Sequence, residues 1–363
     1  MKEVAKFAPA SGMAETYFAM TSRPGRDFRS ELEELLTHYA KLAGDSVCVW
    51  KRFHLSDVAN QASILRAVAG DSVPMVGQAP ANGARVALEA WHLPAGTPVS
   101  GGAGCRTLTL KNYRQLFFHA PTLRSKGSAA QTEEEFSYAE ALLAREGGSI
   151  PENLQRTWLY CRDIDNNYAG LVTARRERFR KLNLTERTHY IASTGIEGQP
   201  EPFHRLVRMD SFALFGHEPG QVRYLAALDH LSPTHIYGVT FERATRICYG
   251  DRSHYYLSGT ASIDKDGNIL HAGDVVGQTR RLLENTEALL AEGGGTLADL
   301  KQAVIYLRDP ADQDAVERVL DSRLSPDTAR IIVRGSVCRP GWLVEMDGIA
   351  VNGSGDPRYK EFI

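Results

Sequence analysis

Glu345 is the side chain with the most chemistry to offer. It follows Trp342-Leu343-Val344 and leads into an apolar stretch, an expensive setting for a carboxylate without a purpose or a partner. Burial there raises a carboxyl pKa and keeps a proton available near neutral pH, as a general acid requires. The plainer alternative is an ion pair with a neighbouring arginine. Cys338 stands seven residues earlier, beside Arg339, whose charge would favour the thiolate. A lone cysteine on a strand is more often a small buried hydrophobe than a reagent, and no histidine in the motif is an evident activating base. The residues themselves therefore give Cys338 no mark of a nucleophile. Gly259, in Ser258-Gly259-Thr260, removes a side chain where a ligand ring approaches backbone, although glycine is also ordinary at a strand end.

The elements that must position these residues are repeated along the chain. Ala141-Leu142-Leu143-Ala144 recurs as Ala288-Leu289-Leu290-Ala291, Tyr160-Cys161-Arg162-Asp163 as Tyr306-Leu307-Arg308-Asp309, and Arg208-Met209-Asp210 as Glu345-Met346-Asp347. The offsets are 147, 146 and 137 in one order, too regular for accident. A more diverged copy opens the chain. Its Tyr17-Phe18-Ala19-Met20-Thr21 resembles the segments at 117–122 and 255–260, and aligning Ala90 with Ala213 and Ala350 places Arg85 opposite Arg208 and Glu345. Only one copy then carries an acid at that position. Each copy reads as strands, helix, strand, helix, strands. Phe28, Leu32, Leu35, Leu36 and Tyr39 share one helical face, as do Leu282, Leu283, Thr286, Leu289 and Leu290. The expected fold is α+β, a sheet with two helices built three times, with boundaries at 1–104, 112–226 and 234–363. The short links predict packed units. Arg162 and Arg308 are candidate anion binders, with pairing to Asp163 and Asp309 as the structural alternative. Arg223 and Arg243 flank the second junction and are candidates to line a cleft there.

Composition narrows the partners. The 363 residues carry 42 Lys plus Arg against 44 Asp plus Glu, so no global basic field draws nucleic acid or a membrane surface. The five cysteines are scattered without Cys-x-x-Cys spacing, which fits reduced thiols in a cytoplasmic protein and offers no zinc site. The first twenty residues lack a continuous apolar core of the kind a signal peptide needs. Gly293-Gly294-Gly295 reads as a helix end, because no Lys-Ser/Thr follows it. The basic run Arg175, Arg176, Arg178, Arg180, Lys181 reads as a solvated helix face. The histidines show no metal-binding spacing, and neither a metal nor an organic cofactor is expected.

The third copy resembles the Rid (reactive intermediate deaminase, YjgF-like) family. The resemblance rests on Ser258-Gly259, the helix from Gln278 to Leu290, Val304 through Asp309, Ala329-Arg330, and Leu343-Val344-Glu345 through Val351. It implies a fold normally assembled as a homotrimer with sites between subunits, so this chain would be a monomeric pseudo-trimer with three unlike clefts. It also implies that Arg330 binds carboxylate. Over the whole length the chain resembles the chorismatases, through Phe241-Glu242-Arg243-Ala244, Ser258 to Ile263, Gly273-Asp274 with Gln278, and Cys338-Arg339-Pro340-Gly341 leading to Glu345. That resemblance implies cofactor-free removal of the enolpyruvyl group of chorismate as pyruvate, with Glu345 as the acid. Cys338 and Gly259 match the branch that forms 3-hydroxybenzoate rather than the hydrolytic branch that leaves a dihydroxycyclohexadiene carboxylate. Rid-type deamination of imines is the remaining alternative.

Overall fold

A computed structural model describes residues 2–10, 12–70, 73–102 and 104–363. The first unit contains β1 (Val4–Phe7), β2 (Glu15–Thr21), α1 (Phe28–Ala43), β3 (Val47–Leu55), α2 (Val58–Ala69), β4 (Met75–Gly77) and β5 (Val86–Leu93). The second contains β6 (Val99–Gly102), β7 (Cys105–Thr109), β8 (Arg114–His119), α3 (Ser128–Arg145), α4 (Ile150–Asn153), β9 (Leu154–Cys161), α5 (Ile164–Lys181), β10 (Ala192–Glu197) and β11 (Val207–Phe215). The third contains β12 (Val222–Leu225), β13 (Ala244–Cys248), β14 (Ser253–Ala261), α6 (Val275–Glu292), β15 (Leu300–Leu307), α7 (Gln313–Arg323), β16 (Ala329–Arg334) and β17 (Val344–Asn352).

One four-strand core recurs in the three sheets: β2-β5-β3-β4, β8-β11-β9-β10 and β14-β17-β15-β16. In each, two antiparallel pairings are followed by a parallel one. The α+β unit is thus built three times, as the repeats predict. β9 is buried along its whole length, Gln155, Arg156 and Thr157 included, and β15 everywhere but at Lys301, because helices cover one face and neighbouring units the other. The predicted faces of α1 and α6 are buried, apart from Leu36, which is half-buried. Asp27 and Asp274 cap those helices by accepting from backbone N–H groups in the first turn. Sheet pairing hands over earlier than the expected boundaries. The mostly exposed β6 joins β7 at the edge of the second sheet, and β12 joins the third.

The strand ladders change one expected alignment. Each central pairing is interrupted once, between Cys48 and Trp50, between Phe212 and Ala213, and between Leu300 and Gln302. Matching these irregularities sets Glu89, Asp210 and Asp347 level with one another. Two residues earlier stand Ala87, Arg208 and Glu345, so Ala87, not Arg85, is the first unit's counterpart of the acid. Arg85 precedes β5 and donates to the carbonyl of Arg26. A two-residue slip preserves the face of a strand, which is why hydrophobic patterning did not reveal it. Tyr160 and Tyr306 do share a rung, opposite Arg208 and Glu345 respectively.

The units are locked together by backbone-directed bonds. Ser193 N–H donates to Ser258 Oγ at 2.8 Å between units two and three. Gln302 Nε2 donates to the Phe18 carbonyl at 2.7 Å between units three and one. Gly77 and Gln199 exchange two backbone bonds of 2.9 Å between units one and two. Among the described residues, no helix is long and apolar enough to cross a membrane.

Candidate active site

On β17, Glu345 and Asp347 are two residues apart and share a face. That face meets the edge strand β10 of the preceding unit, and a cavity of about 390 Å³ opens between the two. Unit two supplies Tyr168 and Arg175 from α5, with Ser193 and Gly195 from β10. Unit three supplies Gly259, Cys338, Arg339, Trp342 and Glu345. Phe241 and Arg243 come from the segment that leads into β13.

Gly259 lies where the β14–β17 register shifts, between Leu257 and Thr260. A Cβ there would overlap the Glu345 carboxyl, with Cδ only 2.8 Å away. The missing side chain therefore makes room first for the acid, a reason distinct from the expected approach of a ligand ring. Burial pushes the Glu345 pKa up, the Asp347 carboxylate adds to the effect, and Arg156 and Arg243 oppose it, with a result of about 8. Asp347 is held by Thr194 Oγ1 at 2.6 Å and by Arg156 and the Tyr306 hydroxyl at 3.2 Å each. Glu345 thus keeps its proton at neutral pH while facing the cavity.

Three guanidinium groups face the same space. Arg175 is 1% exposed, and its Nη1 donates to Ser193 Oγ at 3.3 Å. Its Nε and Nη2 have no hydrogen-bond partner among the described residues. Arg243 donates to the Ser232 carbonyl at 2.8 Å and lies over the Phe241 ring. Arg339 lies over Trp342, whose indole N–H donates to the Ser262 carbonyl at 2.9 Å. Cys338 sits in a bend after the Val337–Ile196 bridge rather than on a strand. Burial raises its thiol and the Glu345 charge reinforces the shift, to about 12, outweighing the Tyr168 hydrogen bond and the nearby Arg339 and Arg175. It is a neutral thiol, so the expected influence of Arg339 is present but overruled.

Glu345, Cys338, Arg243 and Gly259 are therefore brought together, whereas four other candidates lie outside the cavity. Arg330 is ion-paired with Asp321. Arg162 donates to the Pro200 carbonyl and lies over Phe203. Arg308 pairs with Asp165 of unit two at 3.2 Å and donates to the Val337 carbonyl at 2.6 Å, instead of pairing with Asp309. Arg223 is exposed on β12. Sequence reasoning missed Tyr168 and misplaced Arg175 on a solvated face. Arg176 and Arg180 are exposed as expected, but Arg175 and Arg178 are buried beside Leu171, Ala174 and Phe179. The available signal was spacing: 171, 174, 175, 178 and 179 trace a single helical stripe.

Residues 247–352 match the family described as Endoribonuclease L-PSP. Over 96 residues the chain is 33% identical to the 3-aminoacrylate deaminase RutC of Acinetobacter baylyi, spanning 26% of this chain and 76% of that protein. The chain belongs to the Endoribonuclease L-PSP, or Rid/YjgF, family. The matched Rid/YjgF domain contains Gly259, Arg330, Cys338 and Glu345 but none of the side chains that unit two brings to the cavity. Over the full chain the fold is that of a chorismatase crystal structure, with 20% identity and a TM-score of 0.67, covering 94% of this chain and all of that one. A YjgF-family protein from Neisseria meningitidis is 27% identical over 36% of this chain and 94% of its own, with a TM-score of 0.29. Among the described residues, no group of three or more His, Cys, Asp or Glu side chains could hold a metal ion.

Proposed function

We propose that the chain is a chorismatase that converts chorismate to 3-hydroxybenzoate and pyruvate without a cofactor. One observation carries the reading: a carboxyl group kept protonated at neutral pH faces three guanidinium groups in one cleft. Chorismate has two carboxylates and an acid-labile enol ether, and guanidinium groups suit carboxylates by geometry as well as charge. The chorismatase fold supports the same reading.

In this mechanism Glu345 gives its proton to the enolpyruvyl methylene carbon, leaving an oxocarbenium ion at the ether carbon. The ring 4-hydroxyl oxygen attacks C3 as the C3–O bond breaks, pyruvate departs, and the hydroxyl proton returns to Glu345. The C4–O bond of the resulting arene oxide then opens, and loss of the C3 hydrogen as a proton restores aromaticity. Atoms balance without added water. The apolar sides of Cys338, Trp342 and Phe241 disfavour water at the oxocarbenium carbon, and water there would instead give the dihydrodiol. Arg175, Arg243 and Arg339 hold the carboxylates, and the chain works as a soluble cytoplasmic monomer.

Chorismate incubated with the protein should yield pyruvate and an aromatic acid in equal amounts, read by a coupled assay and by chromatography. Glu345→Gln should lower kcat by about 10²–10⁴-fold. An absence of pyruvate, or an unimpaired Glu345→Gln enzyme, overturns the proposal; a diene product alone moves it to the hydrolytic branch. The identity with a 3-aminoacrylate deaminase favours one rival, imine or enamine deamination, which would release ammonia and leave chorismate intact.

A further inference from the structure

The junction between units one and two contains a second cavity, of about 260 Å³. At the other two junctions a six-residue parallel edge strand packs on the first core strand of the next unit, β10 on β14 and β16 on β2. The corresponding strand of unit one, β4, has only three residues, and here it is β3 that meets β6 and β7. The junction is left open as a result.

The chemistry of this cleft is inverted relative to the first. The rung that bears Glu345 in unit three bears Arg208 in unit two. Arg208 Nε donates to Asp210 at 2.8 Å, while its Nη2 is buried and has no hydrogen-bond partner among the described residues. Lys51, Arg52 and Arg106 line the cavity against a single carboxylate, Asp210. Arg52, bonded to Asp210 at 2.8 Å, and Arg208 already offset that carboxylate. Arg106 is engaged by the carbonyls of Val49 and Cys48. Lys51 is half-buried and has no ion pair among the described residues. His119 adds no charge near neutral pH, because burial, assisted by Arg208, lowers its pKa to about 3. The walls are aromatic: Trp50 lies 6.1 Å from Phe117 with ring planes 25° apart, and 6.0 Å from Trp158.

We propose that this cleft is a second, non-catalytic binding site for a planar aromatic carboxylate, its ring against Trp50, Phe117 and Trp158 and its carboxylate towards Lys51. Flat rings recover stacking and burial energy on such walls, and the surplus of cations selects an anion. Turnover is absent there because the acid's rung carries a guanidinium. The site does not depend on the proposed activity, although the product of that activity has the chemistry it selects.

Tryptophan fluorescence tests the site, with 3-hydroxybenzoate as probe and 3-hydroxybenzamide as its neutral counterpart. Arg175→Met weakens the catalytic cleft, and in that protein the probe should still quench with saturation. Adding Lys51→Met should raise the Kd about tenfold, and the amide should bind the Arg175→Met protein about tenfold more weakly than the acid. Lys51→Met alone should leave chorismate turnover within about twofold of the parent. A Kd unchanged by Lys51→Met, or quenching abolished by Arg175→Met alone, overturns the second site. Lys51-dependent binding in a protein that does not turn over chorismate would refute the proposed activity and leave this site standing.

Discussion

At Glu345 the balance of burial and charge sets the proton's affinity, which bears on stability and, in the proposed reaction, on activity. With its folded pKa near 8 against an ordinary 4.5, the folded state holds a proton that the unfolded chain releases between those values. The contribution to stability is therefore highest below pH 4.5 and declines as pH rises towards 8. Glu345→Gln removes that penalty, and calorimetry at pH 7–8 should find the variant more stable by about 1–3 kcal/mol while it is catalytically impaired. For the parent enzyme, kcat/KM should fall as pH rises through about 8, where the acid loses its proton. Gly259→Ala should fold, since the atoms it strikes are the end of a flexible side chain. Displacing that carboxyl should nonetheless cost about tenfold or more in kcat.

At the scale of elements, α5 decides what the cleft can hold. Its stripe of buried residues turns Arg175 inward and leaves Arg176 outside. Arg175→Met should reduce kcat/KM for chorismate by about 100-fold, mainly through KM, because it deletes a charge-assisted carboxylate contact. Arg176→Ala should leave both constants unchanged, and steady-state kinetics on the pair separates the two faces. The helices of this unit were legible as elements, but charge in the run from Arg175 to Lys181 concealed which face was buried. A guanidinium satisfied across a unit boundary, here at Ser193 of β10, leaves no mark in local hydrophobic periodicity.

Across the whole molecule, three units in one chain diverged at a shared rung into Ala87, Arg208 and Glu345. A homotrimer must carry the same residue three times, whereas a fused chain is free of that constraint. The units are held partly by buried charge. Burial alone would raise Glu15 of unit one, but His254 and Arg252 of unit three, with Tyr17, bring it down to about 2. Its depressed pKa contributes stability above the ordinary 4.5, and that contribution is lost as pH falls towards 2. Glu15→Gln should destabilise the protein by roughly 3 kcal/mol at neutral pH and flatten its loss of stability in acid, as denaturant titrations at several pH values would show.

Glu345 stood out because a carboxylate beside apolar residues is an unusual local setting, whereas Cys338 and Gly259 were singled out chiefly by the family resemblance. The repeat and its α+β unit were legible because periodicity and short anchors survive divergence. Arg330, Arg162, Arg308 and Arg223 show the limit, since an arginine's role depends on which carboxylate or carbonyl lies within a few ångströms of it. In this protein those partners are often far away in sequence: Arg308 meets Asp165, and Arg252 meets Glu15. Sequence by itself determined the repeated units and singled out Glu345 as the proposed acid. Only the packing of one unit against the next brought Arg175 to that carboxyl, because the two residues lie 170 positions apart in the chain and meet across a cleft between repeats.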